Sequence, residues 1–235
     1  RFDVADPTNL GPFISKADAF SSLRTLLDTG SEQLGGATFA FNLSSGFDDF
    51  NTPATFNSLN RAIAARTAIQ QEDYASALTL VNNSFLDLDG DLTVGPKHVF
   101  SLTSGDILNP VFRAPDQNGD QIIVHNLVIL DAEAGDTRLS KFAERENPTS
   151  QDDLNGTHES RLYASTTSSI DIIRNEELIL IYAEANIQQD QPQEAERALN
   201  IIRNAAGLGN LMMGMSKEAM IDEMLKQRRY SLWGE

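Results

Sequence analysis

The sequence predicts a mainly α-helical chain, with tetratricopeptide-like helical hairpins in an α-solenoid and an irregular, loop-rich insertion that contains short β-strands. Apolar residues recur at helical spacing in two paired segments, 55–84 and 174–206. Tetratricopeptide units are about 34 residues long and bury their faces against neighbouring units. Between the two pairs, residues 85–173 carry Gly, Pro, Asn and Asp turn signals that break the helical pattern.

The composition excludes several classes of function. The chain has 235 residues and a formal net charge of −16, so it offers no basic surface to nucleic acid or to an anionic membrane. It has no cysteine, which excludes a disulfide framework and thiol chemistry. The longest apolar run, 178–183, is far shorter than the ~20 residues that cross a bilayer as a helix.

The N-terminal part predicts one helix ahead of the first hairpin. Ser15 is a suitable N-cap, and apolar residues continue at helical spacing from Lys16 to about Thr29. Gly30, Gly35 and Gly36 are expected to break this helix. Residues 38–50 combine phenylalanines with glycine and serine, and their sequence fits either a second helix or a loop.

The first predicted hairpin pairs a helix over 55–70 with a helix over 74–83. Apolar and small residues recur at helical spacing in both segments. Glu72 and Asp73 mark the turn between them. The spacing and the turn are typical of a tetratricopeptide unit.

The second predicted hairpin pairs a helix over 174–186 with a helix over 194–203. Pro192 suits a first helical turn, and Gly207 suits a C-terminal cap that needs positive φ. Small side chains recur on the facing sides of the two helices and allow a close antiparallel approach: Ala183, Ala185, Ala195 and Ala198.

A last helix is predicted from Ser216 to at least Trp233, after a loop over 207–214. Ser216 is a favourable N-cap, and the basic Lys226 and Arg228 suit the C-terminal end of a helix.

The insertion predicts short strands and turns. Residues 98–102 and 121–130 are β-like runs, and residues 147–156 are polar and expected to be mobile. Three dipeptides are typical of tight turns: Asp89 with Gly90, Asn118 with Gly119, and Asn155 with Gly156.

Segments near the C terminus resemble the hallmark sequences of the SusD/RagB family. One reads Arg-Asn-Glu-Glu-Leu-Ile-Leu-Ile-Tyr-Ala-Glu-Ala from Arg174 and closes on Ala-Gly-Leu at Leu208. Another reads Lys-Gln-Arg-Arg-Tyr-Ser-Leu-Trp-Gly-Glu from Lys226 to Glu235. The shorter Gly-Asp-Thr-Arg-Leu from Gly135 is similar to the family's Asp-x-Arg segment.

The resemblance implies a single SusD-like domain over 1–235, with helical repeat parts at about 15–84 and 174–235 and an irregular lobe at about 85–173. It implies a fragment that lacks the N-terminal part and the extreme C terminus of a lipid-anchored protein of the cell outer membrane. It also implies non-enzymatic capture of glycans or other oligomeric nutrients at the cell surface. The implied partner is a TonB-dependent SusC-like transporter.

The residues predict no catalytic centre, no metal site and no cofactor. The histidines His98, His125 and His158 lie far apart and share no ligand spacing. No nucleophile motif is present. The acidic stretches 87–91 and 116–120 do not keep the register of a calcium loop, so turns are the better interpretation. The resemblance leaves a structural calcium open.

The best candidate ligand patch combines Phe112, Arg113 and His125, because the resemblance implies that ligand contacts come from the irregular lobe. An aromatic ring can stack on sugar C–H faces, and polar groups beside it can bind hydroxyls. The scarcity of other aromatics leaves a peptide ligand open. Two rival functions are a tetratricopeptide-type protein-interaction module and a secreted glycan hydrolase domain.

Overall fold

The computed structural model describes residues 6, 8, 10–117, 119, 121–151 and 153–235. The helices are α1 Lys16–Leu34, α2 Pro53–Gln70, α3 Tyr74–Asn82, α4 Asn126–Leu130, α5 Asn175–Gln188, α6 Pro192–Ala205 and α7 Lys217–Ser231, with short 3-10 helices at Ser45–Phe50 and Thr137–Lys141. The strands are β1 Lys97–His98, β2 Ile123–Val124, β3 Phe142–Gln151, β4 Leu154–Ser160 and β5 Ile170–Asp171. The mainly α-helical prediction is confirmed, and no helix in the described ranges is long and apolar enough to cross a membrane.

The predicted helix starts are confirmed by their caps. Ser15 accepts a hydrogen bond from the Asp18 amide, and Ser216 accepts one from the Ala219 amide. The predicted end near Thr29 was wrong, since the helix continues through Gly30 to Leu34 and is capped by Gly35. At Gly30 the helix packs closely on α2, and this tertiary contact outweighs the ~1 kcal/mol helix penalty of glycine. Of the two alternatives for residues 38–50, the structure has a loop that ends in the 3-10 helix Ser45–Phe50.

Helix α5 is the centre of the fold. Its consecutive residues Leu178, Ile179, Leu180 and Ile181 are all completely buried. One side of α5 packs on α2 and α3, and the other packs on α6 and α7. A helix that is apolar on every side is stable only inside such a bundle. The two predicted hairpins are therefore in direct contact, because α5 of the second hairpin packs on α2 and α3 of the first.

The lobe carries two small antiparallel sheets. The larger has the strand order β2-β4-β3, and the smaller pairs β1 with β5. Residues 147–156, which were predicted from their composition to be polar and mobile, lie in the hairpin of β3 and β4, in which Gln151 pairs with Leu154. The β-like run 121–130 is a strand only at Ile123–Val124 and then becomes α4, while the run 98–102 is a strand only at its start.

Three cations of the lobe and of α5 converge on the C-terminal end of α7; we call them the clasp: Arg138, Lys141 and Arg174. Arg138 donates to the Ser231 hydroxyl at 2.9 Å, and Lys141 donates to the Tyr230 carbonyl at 2.8 Å. Arg174 donates to the Ser231 carbonyl at 2.6 Å. These bonds satisfy carbonyls that the helix leaves free and place positive charge at its negative end.

The charged groups of the clasp are affected both by burial and by the charges around them. Burial lowers the pKa of Lys141, and the nearby positive charge of Arg174 acts in the same direction. For Arg174, burial acts to lower the pKa, but hydrogen bonds with Glu235 and the charge of Glu176 more than offset it and raise the pKa. Arg138 forms a buried bidentate pair with Asp136. The lobe is thus fixed to the helices by buried, partnered charges.

Candidate functional site

A cleft of about 680 Å³ opens along one edge of the larger sheet; we call it the sheet cleft. The end of the β3–β4 hairpin forms one wall, and β2 with the start of α4 forms the other. Its described lining is Gly119, Gln121, Ile123, Val124, His125, Asn126, Thr149, Asp153, Leu154, Asn155 and Gly156.

Two backbone features shape the sheet cleft. Gly156 lies in β4 where a Cβ would overlap the Cγ2 of Ile123, so only glycine allows β2 to approach this closely. Asp153 lies at the hairpin turn with φ 64°, in the left-handed region that Asp and Asn tolerate better than most residues. Both residues set the width of the cleft at the hairpin end.

His125 occupies the other wall and has a structural task as well. Its Nδ1 accepts a hydrogen bond from the Leu127 amide at 3.2 Å and so caps α4. This bond fixes the ring beside the cleft and leaves Nε2 for another partner.

The described lining of the sheet cleft is mostly neutral. Its hydrogen-bonding side chains are the amides of Gln121, Asn126 and Asn155, the Thr149 hydroxyl and the His125 ring, and its charged side chain is Asp153. The Gln121 Nε2 donates to the Thr149 hydroxyl at 3.2 Å, whereas the Gln121 Oε1 is buried and has no partner among the described residues. A buried acceptor without a donor is costly, so it favours a ligand that brings an O–H or N–H group.

A buried ion pair beside the sheet fixes one rim of the cleft. Glu159 of β4 pairs with Arg145 of β3 and with Arg161 at 2.5 Å. The same carboxylate accepts a hydrogen bond from the Asp116 amide at 2.9 Å. The Arg145 guanidinium also donates to the Gln117 carbonyl at 3.3 Å. The loop that leads into the cleft is therefore tied to the sheet from two directions.

The structure brings only His125 of the predicted patch into the sheet cleft. Phe112 is half-buried and follows the buried Asn109, whose side-chain oxygen accepts hydrogen bonds from the Val111 and Phe112 amides. Arg113 folds back and donates to the Pro110 and Phe112 carbonyls at 2.7 and 2.8 Å. Neither Phe112 nor Arg113 lines the cleft among the described residues.

The acidic stretches form turns in the parts that the structure describes. Asp87 accepts from the Asp89 amide, and Asp91 accepts from the Thr93 amide and hydroxyl. Asn175 of α5 fixes this loop by bonding the Asp87 amide and carbonyl. Asp116 accepts from the Glu146 amide, while Asn118 and Asp120 lie outside the described residues. No group of three metal-ligating side chains occurs within the described residues.

The residues that carry the family resemblance hold the helices and the lobe together. In α7, Lys226 bonds Glu133 at 3.2 Å and Arg229 bonds Asp131 at 3.1 Å, which ties the helix to the lobe. Glu133 is further held by both guanidinium nitrogens of Arg203. Hydrogen bonds from Arg203 lower the pKa of the Glu133 carboxyl to about 2, against the effect of burial.

Trp233 packs edge-on against Phe142 of the lobe, with ring centroids 4.8 Å apart. This contact makes Trp233 a packing residue between the C-terminal segment and the lobe.

Residues 131–235 match the model of the SusD family. This part of the chain is similar in sequence to the SusD family. The SusD match starts at Asp131, so it includes the clasp and the β3–β4 hairpin but not the β2 wall of the sheet cleft. The chain matches no curated protein.

The fold is also similar to solved SusD-like structures. A SusD-like carbohydrate-binding protein from Bacteroides vulgatus has 15% identity, covers 95% of this chain and 50% of its own, and has a TM-score of 0.61. A SusD-like protein from Bacteroides fragilis has 13% identity, covers 95% and 59%, and has a TM-score of 0.63. A SusD superfamily protein from Bacteroides thetaiotaomicron has 19% identity, covers 97% and 59%, and has a TM-score of 0.61.

At these identities the similarity shows the fold, and the chain spans between 50% and 59% of the length of these three proteins.

The sequence analysis did not select Gln121, Asp153 or Asn155 as site residues. Asn155 and Gly156 were assigned to a turn, but they lie inside β4 and the hairpin turn falls at Asp153. The usable signal was the adjacent pair of aspartates at 152 and 153, which are turn formers between two segments of strand length. The pairing of β2 with β4 joins residues far apart in sequence and has no local signal.

Proposed function

We propose that this chain belongs to a non-enzymatic protein that binds glycans or other oligomeric nutrients at the cell surface and delivers them to a TonB-dependent SusC-like transporter. The SusD family is a family of nutrient-binding proteins, which supports the general role. The proposed setting is the outer face of the outer membrane, with a lipid anchor in the full-length protein. Residues 1–235 would form one domain, with repeat parts at about 15–84 and 174–235 and a lobe at about 85–173.

The observation that carries the proposal is the sheet cleft, an open site of about 680 Å³ lined by amide and hydroxyl groups. Sugar hydroxyls both donate and accept hydrogen bonds, and amide side chains match them in both roles. Ile123 and the 77% exposed Leu154 offer apolar surface for sugar C–H groups in place of an aromatic ring. His125 is the predicted ligand residue on this surface, and Phe112 with Arg113 stays a proposal for a flanking contact.

The lining also bears on the hydrolase rival. Glycosidases use two carboxyl groups placed on either side of the scissile bond. Among the described lining residues, Asp153 is the single carboxylate. This arrangement supports capture of a ligand rather than its cleavage.

Affinity electrophoresis in gels that contain soluble glycans tests the proposal. We expect at least one glycan to retard the wild-type chain, and we expect Asn155→Ala to weaken its binding about two- to tenfold by removing one hydrogen bond. The matched control is Asn204→Ala on α6, an exposed asparagine outside the cleft. Equal effects of the two substitutions would remove the sheet cleft from the proposal, and retention by peptides alone would change the nutrient class.

A second candidate function is docking of a protein segment, as in tetratricopeptide modules. The observation that favours it is a groove of about 340 Å³ between α1, α2 and α3, with small residues Ala64 and Ala75 in its lining. Arg24 reaches from α1 to Asp73 at 2.6 Å at this groove. Loss of a transporter or peptide complex on substitution of Ala64 by a larger residue, with glycan binding intact, would favour docking at this groove.

A further inference from the structure

We propose that the sheet cleft selects uncharged oligosaccharides and rejects acidic ones, and that Asp153 is the residue that excludes them. The inference rests on the proposed function and narrows its ligand class. It depends on three features: the charge of the cleft lining, the ion pairs of the nearby arginines, and the Gln121 side-chain oxygen in the lining, which has no partner among the described residues.

The charge of the lining disfavours an anion. No lysine or arginine occurs among the described lining residues, and the carboxylate present is Asp153. Asp153 is exposed at the turn, so its charge faces an approaching ligand across water. In the sequence two more aspartates, at 120 and 152, adjoin lining residues, and the chain as a whole carries a net charge of −16. A carboxylated or sulfated sugar would approach like charges without a cation in this lining to bind it.

The cations beside the sheet are already paired. Arg145 and Arg161 both bind the carboxylate of Glu159, which is buried. Breaking such a pair to bind a ligand anion would leave Glu159 buried and uncompensated. These arginines therefore hold the loop and the sheet. The Arg161 Nη1 has no partner among the described residues, but Arg161 does not line the cleft, and an acidic ligand there would compete with its pairing to Glu159.

The unpartnered atom at the cleft is an acceptor. The Gln121 Oε1 is buried without a partner, while its Nε2 is bound to the Thr149 hydroxyl. A sugar hydroxyl can donate to this oxygen, whereas an ionised carboxylate or sulfate has no proton to donate. A hydroxyl of a neutral sugar can therefore satisfy the Gln121 oxygen, whereas an anionic group cannot.

Pairs of neutral and acidic glycans that share one backbone test the inference. The probes are dextran with dextran sulfate, and methyl-esterified galacturonan with its de-esterified form, in affinity electrophoresis at low ionic strength. We expect at least one neutral member to bind and its acidic counterpart to bind at least tenfold more weakly. Asp153→Asn removes the charge and keeps a side chain that tolerates positive φ.

The substitution Asp153→Asn is expected to narrow the difference between neutral and acidic probes at least threefold. The control is Asp190→Asn, which removes the same charge from an exposed aspartate with φ 55° between α5 and α6. Equal or tighter binding of the acidic member by the wild-type chain overturns the inference and leaves the proposed function standing. An unchanged preference in Asp153→Asn overturns the role of Asp153. Binding of no probe of either charge overturns the glycan function and this inference with it.

Discussion

The clasp and the sheet cleft use polar groups in opposite ways. In the clasp, Arg138, Lys141 and Arg174 are buried or nearly so, and each donates to α7. In the sheet cleft, neutral amides and a hydroxyl line an open surface, and Gln121 keeps an unpartnered oxygen. The polar groups of the clasp are hydrogen-bonded within the protein, whereas polar groups of the sheet cleft remain available to a ligand.

The difference follows from the cost of taking polar groups out of water. A charge is expensive to bury and must be paired and bonded, which makes it a strong constraint on the position of a helix or lobe. A neutral amide costs less to desolvate, so it can exchange water for a ligand without disturbing the fold. The motif residues therefore fix the helices and the lobe, while the ligand contacts proposed above come from other residues.

Loss of a clasp residue should have the largest effect. Arg174→Ala removes the guanidinium that binds Glu176, Glu235 and the Ser231 carbonyl, and leaves those acids partly buried. We expect a loss of about 3–5 kcal/mol in the free energy of unfolding and a fall in Tm of about 6–20 °C. Urea unfolding and calorimetry measure both.

The control for this prediction is Arg197→Ala. Arg197 is 52% exposed and lies 3.8 Å from the 91% exposed Asp89, so its loss should cost at most about 1 kcal/mol. If both substitutions lower the free energy of unfolding by the same small amount, the clasp does not stabilise the fold.

The close approach of β2 and β4 predicts a coupled pair of substitutions. Gly156→Ala places a methyl group against Ile123 and should cost about 1–3 kcal/mol in stability. Ile123→Ala in the same chain removes the overlapping methyl and should restore part of that loss. A double-mutant cycle by urea unfolding measures the coupling. Additive effects would mean that the two strands adjust independently.

The sequence predicts the clasp far better than the sheet cleft. The residues of α5 and α7 that resemble the SusD hallmark also follow helical spacing. The N-cap of α7 at Ser216 and the positive φ of Gly207 after α6 are local signals that the structure confirms. The cleft depends on β2 pairing with β4, whose partners Val124 and His158 are distant in sequence. Its glycine at 156 serves a close approach between strands rather than a turn. Long-range pairing of such short strands gives no periodic pattern in the sequence from which it could be predicted.

The Glu133 ion pairs predict a pH dependence in the acid range. Hydrogen bonds from Arg203 lower the pKa of Glu133 from 4.5 to about 2 in the folded chain. Because the folded pKa lies below the unfolded one, the carboxylate stabilises the fold fully above about pH 4.5 and loses this effect as the pH falls toward 2. Urea unfolding should therefore show the stability gap between wild type and Glu133→Gln at its largest near neutral pH.

The gap should shrink below pH 4.5, the ordinary pKa of the Glu133 carboxyl. The exposed Glu32→Gln on α1 serves as the control, with a small gap expected. A gap for Glu133→Gln that stays constant across the acid range would show that its charge does not contribute.

The smallest effect on stability is expected at the cleft surface. Leu154 is 77% exposed, so Leu154→Ala should change the free energy of unfolding by less than about 0.5 kcal/mol. The same substitution should weaken glycan retention, because it removes apolar contact area from the cleft. Leu225→Ala on α7, where the leucine is 53% exposed, is the matched control and should leave retention unchanged. A large loss of stability in Leu154→Ala would contradict the division between the two regions.

The central claim is that a rigid helical frame presents a separate ligand cleft. Hydrogen exchange of the wild-type chain, with and without the best-retained glycan, tests this claim most directly. We expect the glycan to slow exchange of the backbone amides near residues 121–126 and 153–156, and to leave α2, α3 and α5 unchanged. Slowed exchange across the groove between α1, α2 and α3, with the cleft amides unaffected, would contradict the account.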